Sequence, residues 1–257
     1  MGKIVNMFEL KGKTVLVTGS TRGIGRAILL GLAKQGATVI MHGRSAGAAA
    51  ENTLQKCKEI GAGCYAVYAD LSKRTAAGEI FGQVQKLGLH VDILILNGSV
   101  QYRNKWTLIT DEEYDIQMDT NFRSSLKLAQ LFVPPMQEKR WGRVITIGSV
   151  QEKMPHEEMM VYAAAKLAMR GMMISLAGML ASDGITVNEI APGTILTDRN
   201  TEALSDPEYE EKVRNMIPVK YIGQPEDIVG AAVMVCSEES RYMTGQVIYI
   251  DGGKSVY

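Results

Sequence analysis

The chain has 257 residues, 46% of them hydrophobic, with 28 basic and 28 acidic side chains and a formal net charge of zero. That is enough apolar material for a large core, and α/β folds of this length are often one unit. The balanced charge shows no basic block and so excludes the electrostatic footprint of a nucleic-acid binder.

Cys57, Cys64 and Cys236 are scattered and lack C-x-x-C spacing, which points to a reducing, cytoplasmic compartment and away from structural zinc. His42, His90 and His156 are equally dispersed, so no metal site is expected. No apolar run approaches the roughly 20 residues of a membrane helix. Residues 1–6 carry no signal-peptide core. The expected partner is a small molecule, with neither nucleic acid nor membrane.

After a leader of residues 1–12, Val15, Leu16 and Val17 form an apolar, largely β-branched run from Thr14, which ends at Gly19. Ile24, Ala27, Ile28, Gly31 and Leu32 then recur at helical spacing, up to about Gln35, where Gly36 can end the helix. A strand at Thr38–Met41, a helix over about Ala46–Glu59 and a strand at Cys64–Tyr68 follow. Next come a helix over about Ser72–Lys86, a wholly apolar strand at Ile93–Leu96 and a helical region from Asp111 to Lys139 that Pro134 and Pro135 should interrupt. A strand at Val144–Ile147, a helix over about Glu157–Ala181 and a strand at Thr186–Ile190 lead to residues 191–224, the one long irregular zone and a candidate lid. A helix after Gln224-Pro225 and a strand at Gln246–Ile250 close the chain. Strands that alternate with helices and are apolar throughout predict a parallel sheet covered on both faces.

Two stretches carry chemistry. The first is the turn Gly19-Ser20-Thr21-Arg22-Gly23-Ile24-Gly25, with spacing G-x3-G-x-G. Gly19 permits a sharp turn, Gly23 and Gly25 permit close backbone approach, and the unpaired N–H groups of the following helix suit a phosphate. The second is Ser149 at the end of a strand, Tyr162 13 residues later, and Lys166 four beyond that. Tyr and Lys at i and i+4 share a helix face. A phenol, with pKa about 10, is a poor acid or base at neutral pH, and a neighbouring ammonium favours its ionised form.

The glycine spacing, the Ser149–Tyr162–Lys166 set and the closing Val-Ile-Tyr-Ile-Asp-Gly-Gly together resemble the short-chain dehydrogenase/reductase family, from about Leu10 to Gly253. The resemblance implies a single-domain, doubly wound Rossmann-type fold over residues 1–257 with a seven-stranded, mainly parallel sheet. It implies that Tyr162 exchanges the hydroxyl proton, that Lys166 assists it and binds the nicotinamide ribose, and that Ser149 hydrogen-bonds the substrate oxygen. Asn121 takes the family's fourth catalytic position, holding a water behind Lys166. Asp70 and Leu71 match the adenine-contacting pair, although Asp70 or Ser72 can equally cap a helix. Asn97-Gly98 matches half of the family's Asn-Asn-Ala-Gly; Leu96 and Ser99 depart from it. Pro192, Gly193, Ile195 and Thr197 match the loop that holds the carboxamide.

At the end of the second strand a carboxylate would select NAD(H) and an Arg NADP(H). By alignment with the family Gly43 takes the acidic position, Arg44 and Ser45 follow it, and Arg22 of the glycine turn can supply a second cation, so NADP(H) is expected in preference to NAD(H). For substrate, Gln101 and Gln151 are candidates for hydroxyls, and Arg103 and Lys153 for a carboxylate. Gly-Ser-Val-Gln at 98–101 and Ser-Val-Gln-Glu at 149–152 are similar to loops of gluconate 5-dehydrogenase-type members. A 3-oxoacyl-carrier-protein reductase is the rival reading, and a catalytically idle NADP-binding scaffold a second. The resemblance also implies a homotetramer built on the helices around Asp111–Lys139 and Glu157–Ala181.

Overall fold

The computed structural model describes residues 7–256, so the expectation about residues 1–6 lies outside the described span. Seven strands form one sheet: β1 (Thr14–Val17), β2 (Thr38–Gly43), β3 (Cys64–Tyr68), β4 (Ile93–Leu96), β5 (Gly142–Ile147), β6 (Ile185–Pro192) and β7 (Val247–Ile250). All are parallel, in the order β3-β2-β1-β4-β5-β6-β7. Eight α-helices cover it: α1 (Gly23–Lys34), α2 (Ala48–Ile60), α3 (Ala76–Lys86), α4 (Asp111–Met118), α5 (Ser124–Lys139), α6 (Met160–Leu180), α7 (Pro207–Asn215) and α8 (Val229–Cys236).

Alternate strand residues feed opposite cores. Val15, Val17, Ile93 and Ile95 pack with Ile28 and Leu32 of α1, Cys57 of α2 and Val235 of α8. Leu16, Leu94, Val144 and Val187 pack with Ile80 of α3, Phe132 of α5, and Met169 and Met173 of α6. Leu16, Ile28 and Leu94 are fully buried, and burial of each such side chain contributes about 1.5–3 kcal/mol. The chain leaves β3 at one edge and returns to β4 on the far side of β1. That reversal opens a crevice at the carboxyl ends of β1 and β4, where ligands bind in folds of this kind.

Four sequence expectations are corrected. Helix α5 runs through Pro134 and Pro135 without a break, and the departure from α geometry comes earlier, as one π-helical turn at Asp119–Arg123. Buried Phe132, Val133 and Met136 hold α5 against the core, while Gln130, whose carbonyl loses its donor to Pro134, lies in solvent. Helix α3 begins at Ala76, because Asp70 binds Ser72 in a turn ahead of it. The zone 191–224 is not irregular throughout: β6 reaches Pro192, and α7 forms behind an Asp206 cap with Pro207 in its first turn. Finally, α6 and its tail, Met160–Asp183, are long and apolar enough to cross a membrane by length and composition. Its apolar inner face packs on the sheet, and the same helix carries Tyr162 and Lys166.

Candidate active site

The turn after β1 is built for close approach. Gly19 and Gly23 have φ of +63° and +55°, which β-carbon-bearing residues rarely adopt. A methyl on Gly25 would overlap Asn97 Nδ2 and lie 2.5 Å from the Gly19 carbonyl oxygen. No side chain caps the N-terminus of α1 and its first turn holds no acid, so its N–H groups face the crevice unpaired.

Three residues pin this turn. Asn97 Nδ2 donates to the carbonyls of Thr18 (2.8 Å) and Gly19 (3.1 Å), and the Asn97 and Gly98 N–H groups both donate to Thr18 Oγ1 at 2.9 Å. One Asn thus ties β4 to β1 despite Leu96 standing where the family has another. Ser20 is a correction: it is fully buried, donates to the Val17 carbonyl and accepts from the His42 N–H, so its side chain faces the core rather than the crevice. The third, His42, was not singled out from sequence. Its Nδ1 accepts from the Gly19 N–H at 3.0 Å, so Nε2 carries the proton and donates to the Ala69 carbonyl at 3.1 Å. Burial pushes its pKa down to about 4, which keeps the imidazole neutral in this brace. The signal was an isolated His inside an otherwise apolar strand.

A cavity of about 1100 Å³ runs from this turn across the carboxyl ends of the strands. Thr21, Arg22, Gly23, Ile24 and Gly25 line one end, with Arg44, Ser45, Asp70 and Leu71 beside them. A methyl on Gly43 would lie 2.6 Å from Thr21 Cγ2, so the end of β2 has no room for a larger side chain in that direction. Partial burial opposes charge on Asp70, but the Ser72 N–H and hydroxyl, Arg44 and Lys73 outweigh it and hold the carboxyl below its ordinary range.

At the other end Ser149, Tyr162 and Lys166 line the same cavity, with Asn97, Gly98, Gln101, Arg103 and Gln151. Ser149 ends β5 and caps a short 3-10 turn, Val150–Glu152: its Oγ accepts from the Gln151 N–H at 3.2 Å and its N–H donates to Glu152 Oε1 at 2.7 Å. Lys166 is almost fully buried; its Nζ donates to the Ile147 carbonyl at 2.6 Å and stands 5.7 Å from the Tyr162 ring centre. The ammonium is thus fixed by β5 and directed towards the phenol by the i, i+4 spacing of α6.

Two expected site residues do not line the cavity. Asn121 sits in the π-helical turn, and both ends of its amide bind Val100, at 2.9 Å each. Its side chain holds the loop after β4. Lys153 leaves the cavity wall and lies 4.1 Å over the Tyr249 ring, where a cation meets the face of an aromatic.

Pro192, Gly193, Ile195 and Thr197 form the remaining wall. Asn200, missed in sequence, shapes it: Oδ1 accepts from the Thr197 N–H at 2.9 Å and Nδ2 donates to the Ile195 carbonyl at 2.9 Å. The zone 191–224 reaches across the opening. Arg199 donates to the Ser99 carbonyl and hydroxyl, at 2.8 and 3.0 Å, and Asp198 pairs with Arg22 at 3.5 Å.

These features fit a dinucleotide: a close-approach turn, an uncapped helix start for a pyrophosphate, cations at the far end and a Tyr–Lys pair at the near end. Comparison with known proteins agrees. The family model described as enoyl-(acyl carrier protein) reductase matches residues 19–255. A 3beta-hydroxysteroid dehydrogenase from Eggerthella lenta is 32% identical over 250 residues, 97% of this chain and 96% of that protein. An NADP-bound 3-oxoacyl (acyl-carrier-protein) reductase from Agrobacterium tumefaciens superposes with a TM-score of 0.92 at 36% identity, covering 95% of each chain. A gluconate 5-dehydrogenase from Burkholderia cenocepacia, in complex with NADP and tartrate, gives 0.91 at 26% identity, covering 97% of this chain and 98% of that one. The chain belongs to the short-chain dehydrogenase/reductase family and is an oxidoreductase of hydroxyl and keto groups.

Proposed function

We propose that the protein moves a hydride between NADP(H) and a secondary alcohol or ketone on a small polar substrate, such as a sugar acid or other polar keto compound. The observation that carries this reading is the placement of Ser149, Tyr162 and Lys166 on the wall of the same cavity as the glycine turn. The cofactor supplies or takes the hydride. Tyr162 gives a proton to the substrate oxygen in reduction and takes it in oxidation. Ser149 Oγ, with its lone pairs and hydroxyl proton at the cavity wall, hydrogen-bonds that oxygen. Lys166 stabilises the negative charge that Tyr162 carries after giving up its proton. Asn121 supports the set by holding Val100 and the loop after β4.

Arg44, Ser45 and Arg22 support NADP(H) over NAD(H), because the guanidinium geometry suits a 2′-phosphate and no carboxylate stands at the end of β2. Gln101, Gln151 and Arg103, at the substrate end, support a polar and acidic substrate. NADPH is expected to exceed NADH in kcat/KM by about tenfold or more, since the lost phosphate contact is worth about 1.5–3 kcal/mol. A spectrophotometric screen of both cofactors against keto acids, ketoses and acetoacetyl thioesters measures cofactor and substrate class together. Preference for NADH overturns the cofactor assignment, thioester activity alone makes the protein an acyl-carrier-protein-type reductase, and silence with every carbonyl favours the idle scaffold.

The outer row of α6 leaves Met160, Leu167 and Ile174, at seven-residue spacing, 48–52% exposed, with Tyr114 of α4 49% exposed nearby in the fold. Such a row supports burial against other copies of the chain, and a homotetramer is expected from light scattering after size exclusion. A monomer at micromolar concentration rejects it.

A further inference from the structure

Two carboxyl groups lie buried directly beneath Ser149, and the mechanism above uses neither. Glu189 is in β6 and has no exposed surface; Glu152 ends the 3-10 turn that Ser149 caps and is 8% exposed. We propose that Glu152 and Glu189 share one proton and act as a single positioning unit that holds the Ser149 turn in its working shape. This rests on the reading of Ser149 as the residue that binds the substrate oxygen.

The geometry comes from both outer oxygens. Glu152 Oε1 accepts from the Ser149 N–H at 2.7 Å, and Glu189 Oε2 accepts from Thr146 Oγ1 at 3.1 Å, across the β5–β6 pair Thr146↔Glu189. The inner oxygens, Glu152 Oε2 and Glu189 Oε1, are buried with no donor from any other described residue. A buried carboxylate oxygen without a donor is costly. A proton on one carboxyl, donated to the other, satisfies both oxygens at once. Gly148 makes the approach possible: a methyl there would overlap Glu152 Oε1 and come within 2.7 Å of Glu189 Cδ.

Burial of the two carboxyls favours that proton, against two nearby cations. Lys166 and Arg170 face the pair from α6, Tyr249 from β7 and Thr146 from β5, while Lys153 of the turn lies over the Tyr249 ring. Neither cation makes an ion pair with either carboxyl among the described residues: Lys166 donates to the Ile147 carbonyl and Arg170 to the Tyr249 hydroxyl. Burial and the neighbouring Glu152 push Glu189 up to about 8, and burial raises Glu152 as well. Glu152 already accepts an N–H from Ser149, so it is the better anion and Glu189 the proton donor. Losing the shared proton sets two buried negative charges against each other, and Glu152 is the one in the turn that Ser149 caps.

The sign for stability follows. Glu189 binds its proton more tightly in the fold, at about 8, than at its ordinary 4.5. Its contribution is complete below about pH 4.5 and is lost as pH rises through 8. Melting temperature is measured from pH 5 to 9 for the full-length wild type, Glu189→Gln and Glu152→Gln. An amide supplies its own N–H to the facing oxygen, so Glu189→Gln should gain several degrees relative to wild type as pH rises across that window. A wild-type-to-variant difference that stays constant with pH overturns the shared proton. Should the variants not fold, an infrared difference spectrum of the wild type between pH 6 and 9.5 reads the same proton: a protonated carboxyl band must disappear, and its absence refutes the proposal.

The positioning role is read separately in the pH profile of kcat. Glu189→Gln should move the alkaline fall of kcat upward by a unit or more, and Glu152→Ala should lower kcat at least tenfold with KM for NADPH within twofold. An alkaline limb unmoved by Glu189→Gln, or an unaltered kcat in Glu152→Ala, rejects positioning. If the melting and infrared results hold while Tyr162→Phe remains active, the shared proton stands and the assignment of the site fails.

Discussion

Replacing Tyr162 by Phe is expected to lower kcat by about 10²–10⁴-fold, the usual worth of a positioned acid or base, while NADPH still binds. The phenol is 6% exposed and sits in the first turn of α6. Phe keeps the ring and its packing and removes only the oxygen proposed to exchange the proton. Stopped-flow hydride transfer and fluorescence titration of NADPH separate the two effects. Near-normal turnover would remove Tyr162 from the mechanism, and lost NADPH binding would show that the hydroxyl holds cofactor instead.

The second large effect belongs to Lys166. Lys166→Met keeps the aliphatic stem in its buried slot, removes the ammonium and leaves the Ile147 carbonyl without its donor. Two losses are expected: kcat falls by about 10² or more because Tyr162 loses its electrostatic partner, and NADPH binds about tenfold or more weakly because a charge-assisted hydrogen bond is worth about 1.5–3 kcal/mol. The double variant Tyr162→Phe/Lys166→Met should be little worse in kcat than the poorer single, since groups that act as one unit are not additive. Additive losses would mean that Lys166 acts independently of Tyr162.

Much of this was legible in the chain because it depends on local chemistry. Gly19 and Gly23 mark backbone with positive φ, and Gly25 marks a place where a β-carbon cannot fit, because Asn97 and Gly19 occupy the space. The Tyr162–Lys166 spacing fixes a shared helix face whatever the tertiary context. What could not be read depends on neighbours brought from far along the chain. Lys153 turns away because Tyr249, nearly a hundred residues on, offers its ring. Ser20 faces inward because His42 and Val17 bind it. The Pro134–Pro135 pair looked like a helix break, but packing of Phe132 and Met136 outweighs two lost backbone bonds. Glu189 left a readable trace, an acid in a strand that is otherwise closed to water, but its partner Glu152 is visible only once β6 lies beside the turn after β5.

Across the mouth of the crevice, Asp198 reaches Arg22 at 3.5 Å, with 69% of the Arg and 64% of the Asp side chain in solvent. An ion pair so wet is worth about 0–1 kcal/mol, comparable with thermal energy. The pair therefore ties residues 191–224 to the glycine turn only loosely, and leaves the Arg22 guanidinium open to an anion that competes with Asp198. Little of the hold of residues 191–224 on the crevice comes from this contact.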